Sequence, residues 1–331
     1  MPEKMCEVYE AYDMEVLGVG RGRGAIILKT DKGIRQVSPL NGTDKRLAEE
    51  KEFKDNLYDI GFVHIERCIE NKEGELVTWD RYGNPFVVRE YFEGRECNPG
   101  SLTDLGKSAE NLAEFHIKGR ELFSKEGKTY AYKSPGNFQK KRQEMKKIRN
   151  FISTRSAKND FELMYIKAFD YFYHQATECQ DMMEQSNLSS VLGRIGYCHG
   201  GYNYHSVLFC DGYVATTNFD RFHVGYQLVD LYQFIRKVME KNNYNFNMVV
   251  KIISEYENVI PLNSDDYAFI YMMYCYPEKF WKISNRYMNS KKSWISPANI
   301  EKLEKVIEDE QEKLNILNEF SRYYGVYKMM N

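Results

Sequence analysis

No run of about 18 consecutive apolar residues occurs anywhere in the chain, so no membrane-spanning helix is expected. The opening stretch, MPEKMCEVYEAYDMEV, lacks the apolar core of a secretory leader, and synthesis in the cytosol is the expectation. Charge of one sign is also missing. The 46 Lys and Arg residues against 48 Asp and Glu leave a net charge of −2, with the two signs intermixed. That balance gives no footprint for nucleic acid or an anionic membrane. The seven cysteines (Cys6, Cys68, Cys97, Cys179, Cys198, Cys210 and Cys275) include no Cys-x-x-Cys pair. An odd, dispersed set reads as reduced thiols in cores and excludes a zinc ribbon or a disulfide framework. There is no internal repeat and no low-complexity tract. What the chain has in quantity is tyrosine, with 26 residues, and enough length, 331 residues, for two lobes with substantial cores.

Residues 12 to 95 alternate in the manner of strands, as in Met14-Glu15-Val16-Leu17, Ala25-Ile26-Ile27-Leu28, Glu75-Leu76-Val77-Thr78-Trp79 and Phe86-Val87-Val88. Turn signals such as Asp31-Lys32-Gly33 and Tyr82-Gly83-Asn84-Pro85 separate them. One helical interruption, Lys45 to Ile60, carries Leu47, Phe53, Leu57 and Ile60 near helical spacing. From Ser101 onward the period becomes helical. Ser101 or Thr103 can cap a helix running to about Phe123, and further helices are expected near 136–155, 160–186, 227–241, 246–259, 264–275 and 277–288. A last helix begins at Ser296-Pro297 and continues to about Tyr323. The boundary between lobes is expected in Tyr91–Gly100, giving an N-lobe over 1–95 and a helical C-lobe over 96–331.

The strand-rich interlude between the long helices holds the chemistry-bearing pattern. Arg194-Ile195-Gly196-Tyr197 leads into Cys198-His199-Gly200-Gly201, then a short hairpin around Cys210-Asp211-Gly212, then Asn218-Phe219-Asp220 and Asp230. The segment 197–236 resembles the catalytic stretch of the aminoglycoside and choline phosphotransferases, which reads H-G-D-x-x-x-x-N followed by a second apolar-Asp segment. His199, Gly200, Tyr202, His205, Val207, Leu208, Phe219, Asp220 and Asp230 match. The resemblance implies that the first Asp would orient the attacking hydroxyl and accept its proton, while the Asn and second Asp would hold magnesium on the nucleotide phosphates. Gly201 stands where the base would be, Ser206 at the first metal ligand and Asn218 at the second. Gly201 cannot act as a base. Asn218 brings no negative charge, whereas magnesium sites use carboxylates with phosphates. Asp220 is the residual candidate for a metal or proton role, and His199 and Asp230 are expected to be structural.

Two further parts of such a site are weak in this chain. Gly18-Val19-Gly20-Arg21-Gly22-Arg23-Gly24 lies between two strands, where Gly20, Gly22 and Gly24 could cover a nucleotide or simply form a hairpin. Arg21 and Arg23 could meet an anion there. The strand–loop–strand context excludes the dinucleotide fingerprint, and no Gly-Lys-Ser/Thr is present for a Walker loop. The strand Ile34–Leu40 should carry the Lys that contacts phosphates, but offers Ser38 and Pro39, so the anchoring cation is expected to be absent. Glu49 or Glu50 would be its helix partner, although such carboxylates are commonly exposed.

Across nearly its whole length the chain resembles the bacterial spore-coat kinase-like proteins of the CotS type. Besides the central motif, the resemblance rests on Tyr91–Cys97, Leu112–His116, Asp230–Arg236, Tyr276–Lys282 and Lys291–Ile295. It implies a two-lobed α+β fold like the aminoglycoside phosphotransferases, with a small antiparallel N-lobe and a larger helical C-lobe. It also implies synthesis in the mother-cell cytoplasm and assembly into the spore coat. The leading expectation is a non-catalytic pseudokinase that makes protein–protein contacts with other coat proteins or with itself. No cofactor or metal is expected. The alternatives are a small-molecule phosphotransferase using ATP and magnesium through Asp220, and a nucleotide- or metabolite-binding module without turnover. Tyrosine richness fits an interface role.

Overall fold

Alternating apolar residues between Val16 and Glu90 build one twisted antiparallel sheet. The computed structural model describes residues 6–22, 24–127, 135–186, 189–290 and 297–326. After a short helix α1 (Cys6–Glu10), strands β1 (Val16–Gly22), β2 (Ala25–Thr30) and β3 (Gly33–Pro39) run as a meander. Helix α2 (Asp44–Asp59) follows, capped by Thr43, and then β4 (Cys68–Ile69), β5 (Thr78–Trp79) and β6 (Pro85–Glu90). The order β1-β2-β3-β6-β4, with β5 on the side of β6, makes six strands. β6 pairs with β3 so that Gln36 faces Arg89 and Ser38 faces Val87. Val8, Tyr9, Tyr12, Leu28, Val37 and Val88 form the core on one face, with α1 closing it. The sequence pattern did not foretell α1.

The short strand β7 (Arg95–Glu96) precedes helix α3 (Leu102–Lys125), whose N-terminus is capped by Ser101 accepting from the Asp104 N–H. Then come α4 (Phe138–Ser153), α5 (Asp160–Gln185) and strands β8 (Ile195–Cys198), β9 (Val207–Phe209), β10 (Val214–Thr216) and β11 (His223–Tyr226). β10, β9 and β7 make a small second sheet. Helices α6 (Leu228–Lys241), α7 (Phe246–Glu257), α8 (Ser264–Cys275), α9 (Glu278–Met288), α10 (Pro297–Glu308) and α11 (Glu310–Tyr323) complete the order. Asp309 breaks the single terminal helix that the periodicity suggested into α10 and α11. Ser296, its expected cap, lies outside the described residues, as do Arg23 and the segment 291–295 with Trp294.

Two compact units result. One holds 1–128 with 196–224, and the other holds 129–195 with 225–331. Helix α3 and the catalytic-like stretch therefore pack with the N-terminal sheet. In this unit Phe53 of α2 stacks on Phe222 at 4.4 Å and lies 4.6 Å from Tyr197 and 6.0 Å from Phe219.

The helical unit is built around buried aromatics. Phe280 stacks on Phe172 at 4.3 Å and on Tyr165 at 5.1 Å, while Phe138 stacks on Tyr276 at 4.4 Å. Capping boxes at Asn159 and Asn263 start α5 and α8. Much of the tyrosine content belongs here. Tyr165, Tyr256, Tyr276 and Tyr287 are fully buried, so they serve the core instead of a contact surface. Removing the Phe53 ring, which joins α2 to the 197–222 stretch, should cost about 3–5 kcal/mol for Phe→Ala. Urea unfolding of Phe53→Ala measures that loss.

Candidate functional site

The stretch from Cys198 to Arg221 keeps a tightly specified backbone. His199 is fully buried. Its Nδ1 accepts the Gly201 N–H at 3.2 Å, which leaves Nε2 protonated to donate to the Thr217 carbonyl at 2.9 Å. One imidazole thus ties the start of the loop to its end. Gly200 has φ 75°, and a Cβ there would sit 2.1 Å from the Arg221 carbonyl oxygen, so only glycine fits. Tyr202 donates to the Ser108 carbonyl of α3 at 2.6 Å, anchoring the loop from below.

The positions where reactive groups would stand are different in kind. A Cβ on Gly201 would meet only Arg221 Cδ and His199 Nδ1, both at 3.8 Å, which is ordinary contact. There is room for a Cβ, and no carboxylate is present. Ser206 is buried and closed on its own turn, its Oγ donating to the Asn203 carbonyl at 2.8 Å and accepting the Asn203 N–H at 3.0 Å. Asn218 adopts the left-handed region, φ 67°, and its side chain donates to Thr217 Oγ1 at 3.3 Å. Asp220 is exposed, 3.9 Å from Arg221 Nε. Asp230 lies buried in the first turn of α6, in the helical unit.

The N-terminal sheet corrects one expectation. Ser38 does stand on β3 without a cation, but the guanidinium of Arg89 reaches in from neighbouring β6. Its Nη1 is 3.4 Å from Ser38 Oγ, and its Nε and Nη2 donate to the Glu50 carboxylate at 3.2 and 3.3 Å. Glu50, expected at the surface, is buried. Lys54, one turn further along α2, is wholly buried and donates to Glu50 Oε1 at 2.6 Å and to Glu66 Oε1 at 3.2 Å. The same Glu66 oxygen accepts the Asn218 N–H at 2.6 Å. Two cations and two carboxylates thus join α2, the sheet and the Asn218 turn within one unit.

Burial opposes charge on every member of this cluster. For Glu50 the neighbouring Lys54 and Arg89 outweigh burial and hold its pKa below the ordinary carboxylate value. For Lys54, Glu66 and Glu50 likewise outweigh burial and raise its pKa. Glu66 goes the other way. Burial lifts its pKa, the Lys54 and Arg89 charges offset this only in part, and its Oε2 has no hydrogen-bond partner.

A pocket of about 580 Å³ opens over this floor, lined among others by Gly24, Pro39, Tyr91, Phe92, Leu208 and Asn218. Gly24 takes φ 76° in the β1–β2 turn, while Gly20 and Gly22 lie on β1 and do not line the pocket. Among the described residues its lining includes the carboxylates of Glu50, Glu66, Glu90, Glu96 and Asp220 and the guanidinium of Arg89. Glu90 is paired with Arg67 at 3.0 Å and Glu96 with His205 at 2.6 Å. The sequence reading missed Lys54, Glu66 and Arg89. The available signal was the Glu50/Lys54 pair at i, i+4 on α2 and the alternation that sets Arg89 beside β3.

A two-lobe order of antiparallel sheet, long helix, His-Gly loop and helical remainder defines the kinase-like phosphotransferase fold. The solved structures agree. An aminoglycoside phosphotransferase from Alicyclobacillus acidocaldarius superposes with TM-score 0.79 at 14% identity, covering 96% of this chain and 95% of that one. A spectinomycin phosphotransferase, solved with ADP and spectinomycin, gives 0.66 at 11% identity, covering 93% and 96%. A Plasmodium vivax ethanolamine kinase gives 0.59 at 13% identity, covering 95% and 84%. The family model described as "Spore coat putative kinase YutH" matches residues 6–320, and the chain belongs to that spore coat family. No curated protein sequence matches it. Among the described residues no helix is long and apolar enough to cross a membrane.

Lys54→Met removes the partner of two buried carboxylates and should cost about 3–5 kcal/mol, measured by urea unfolding, with Glu66→Gln in the same chain restoring part of it. Because the folded pKa of Glu50 is depressed, its stabilisation is present above the unfolded carboxylate value and is lost as pH falls through the folded one. Denaturation midpoints taken below pH ~4.5 should therefore fall less steeply in Glu50→Gln than in the unaltered protein.

Proposed function

We propose that this protein is a non-catalytic, kinase-like component of the spore coat that acts through protein–protein contacts. The observation that carries the reading is the catalytic-like loop itself. Its backbone is held by His199, Gly200 and Tyr202, yet Gly201 has no side chain where a base would stand. A general base alone contributes about 10²–10⁴ in rate. The residues present do not fit a magnesium-bridged triphosphate. Ser206 Oγ is engaged by Asn203, Asn218 is neutral, and among the described residues no three His, Cys, Asp or Glu side chains are grouped to hold a metal. The guanidinium of Arg89 on the pocket floor is already engaged by Glu50, which leaves it little to offer phosphate oxygens. Membership of the coat family supports the placement in the coat. Other coat proteins or further copies of this chain are the partners the reading requires.

Calorimetric titration of the purified protein with ATP, first with magnesium and then with EDTA, tests this. No heat at millimolar ATP is expected, and magnesium-dependent binding would return the protein to the enzymes. Gly201→Asp, Ser206→Asn and Asn218→Asp together should then raise magnesium-dependent ATP affinity at least about tenfold, since the loop geometry is kept and one carboxylate contributes on this scale.

A further inference from the structure

Two of the segments that carry the coat-family resemblance, Asp230–Arg236 and Tyr276–Lys282, have no part in the site above. In the helical unit both reach the same small cavity, of about 40 Å³. Arg236 arrives from α6, and Tyr276, Pro277 and Glu278 from the α8–α9 junction. At roughly 10–15 Å³ per water-sized probe, the space takes about three small groups.

Three of its lining residues each carry a buried polar atom with no hydrogen-bond partner: Arg236 Nε, Tyr274 OH and Asp309 Oδ2. Arg236 and Tyr274 are each only 7% exposed. Buried polar atoms are normally satisfied, and three left open on one cavity need an occupant. The neighbouring charges are already matched. Arg236 pairs with Glu240, Lys279 lies 3.9 Å from Glu240, Lys141 and Lys282 hold Glu278 at 2.6 and 3.2 Å, and Lys313 lies 3.6 Å from Glu310. Asp309 has no ion partner among the described residues. Its carboxylate is thus the uncompensated charge of the cavity, and the Arg236 Nε–H is the donor that lacks an acceptor.

The remaining walls are aromatic apart from Val306 and Pro277. Phe172, Tyr244 and Phe280 line the cavity beside Tyr274 and Tyr276, and aromatic faces attract cations. Tyr244 is set into this wall by a left-handed backbone, φ 56°, directly after Asn243 at φ 48°. A bulky residue in that region is an outlier that its surroundings must enforce.

We infer that this cavity binds a small protonated primary amine carrying a neighbouring oxygen acceptor. The ammonium pairs with Asp309 and the oxygen accepts from Arg236 Nε–H and the Tyr274 hydroxyl. The site is independent of the nucleotide question, since none of its residues belongs to the loop or pocket of the other unit.

The test uses the full chain with glycinamide, propionamide as the isostere without an ammonium, and ligand-observed NMR or calorimetry as readout. Saturable glycinamide binding in the sub-millimolar range is expected, with propionamide at least tenfold weaker. Asp309→Asn should weaken glycinamide at least tenfold. Tyr274→Phe, which removes one oxygen from a buried wall and keeps the ring, should fold normally and weaken it several-fold. Equal binding of both probes, binding unchanged in Asp309→Asn, or no saturable binding at all would overturn the site. The last outcome would leave a cavity filled by water only.

Discussion

The buried contact of Lys54 with Glu50 and Glu66 is the interaction on which the N-terminal unit depends. A lysine with no solvent exposure has exchanged its hydration for two carboxylates, and each carboxylate has a second partner. Glu50 holds Arg89 of β6, and Glu66 holds the backbone of Asn218. Helix α2, the sheet and the turn after β10 are therefore positioned by one electrostatic unit. The hydrophobic layer around Phe53, Phe115 and Phe219 lies beside it, with the Lys54 ammonium 5.6 Å from the Phe219 ring centre. Low local dielectric strengthens these pairs and makes an unpaired member costly.

This arrangement explains why the loop keeps its form without reactive groups. The Arg221 carbonyl leaves no room for a Cβ at Gly200, and His199 is held by two bonds to backbone groups, so neither position depends on the side chains at 201, 206 or 218. The frame and the chemistry are physically separable here. A side chain added at Gly201 would bring its Cβ to ordinary contact distance from two atoms. Replacing Lys54 leaves carboxylates buried without a counter-charge. The first change is cheap for folding and the second is not.

The parts of the fold written in short-range pattern were legible. Period-2 alternation gave the sheet, and capping residues such as Ser101 gave the start of α3. The loop could be read because Gly200 and His199 sit at fixed offsets. The charge cluster could not. Glu50 and Lys54 look like a surface i, i+4 pair until Arg89, brought by β-strand pairing, and Glu66, from the segment before β4, close over them. Ser38 marked the missing cation on its own strand, but only the register of β3 with β6 shows that Arg89 fills the space beside it. Likewise, Asp309 reads as one more polar residue in a long amphipathic helix. Its role as a break, and as the uncompensated carboxylate of a cavity, depends on helices far apart in sequence.

The two units handle buried polarity in opposite ways, and that contrast bears on function. In the sheet unit the charges are consumed by one another, so the pocket floor has little left to offer a phosphate. In the helical unit the ion pairs close among themselves and leave a donor, a hydroxyl and a carboxylate oxygen without partners on residues that line the same small space. A buried group with no partner is expensive, and three of them sharing one cavity are stabilised most simply by a molecule that meets all three. The proposed small-molecule site therefore follows from packing in the helical unit, away from the loop that its sequence makes conspicuous.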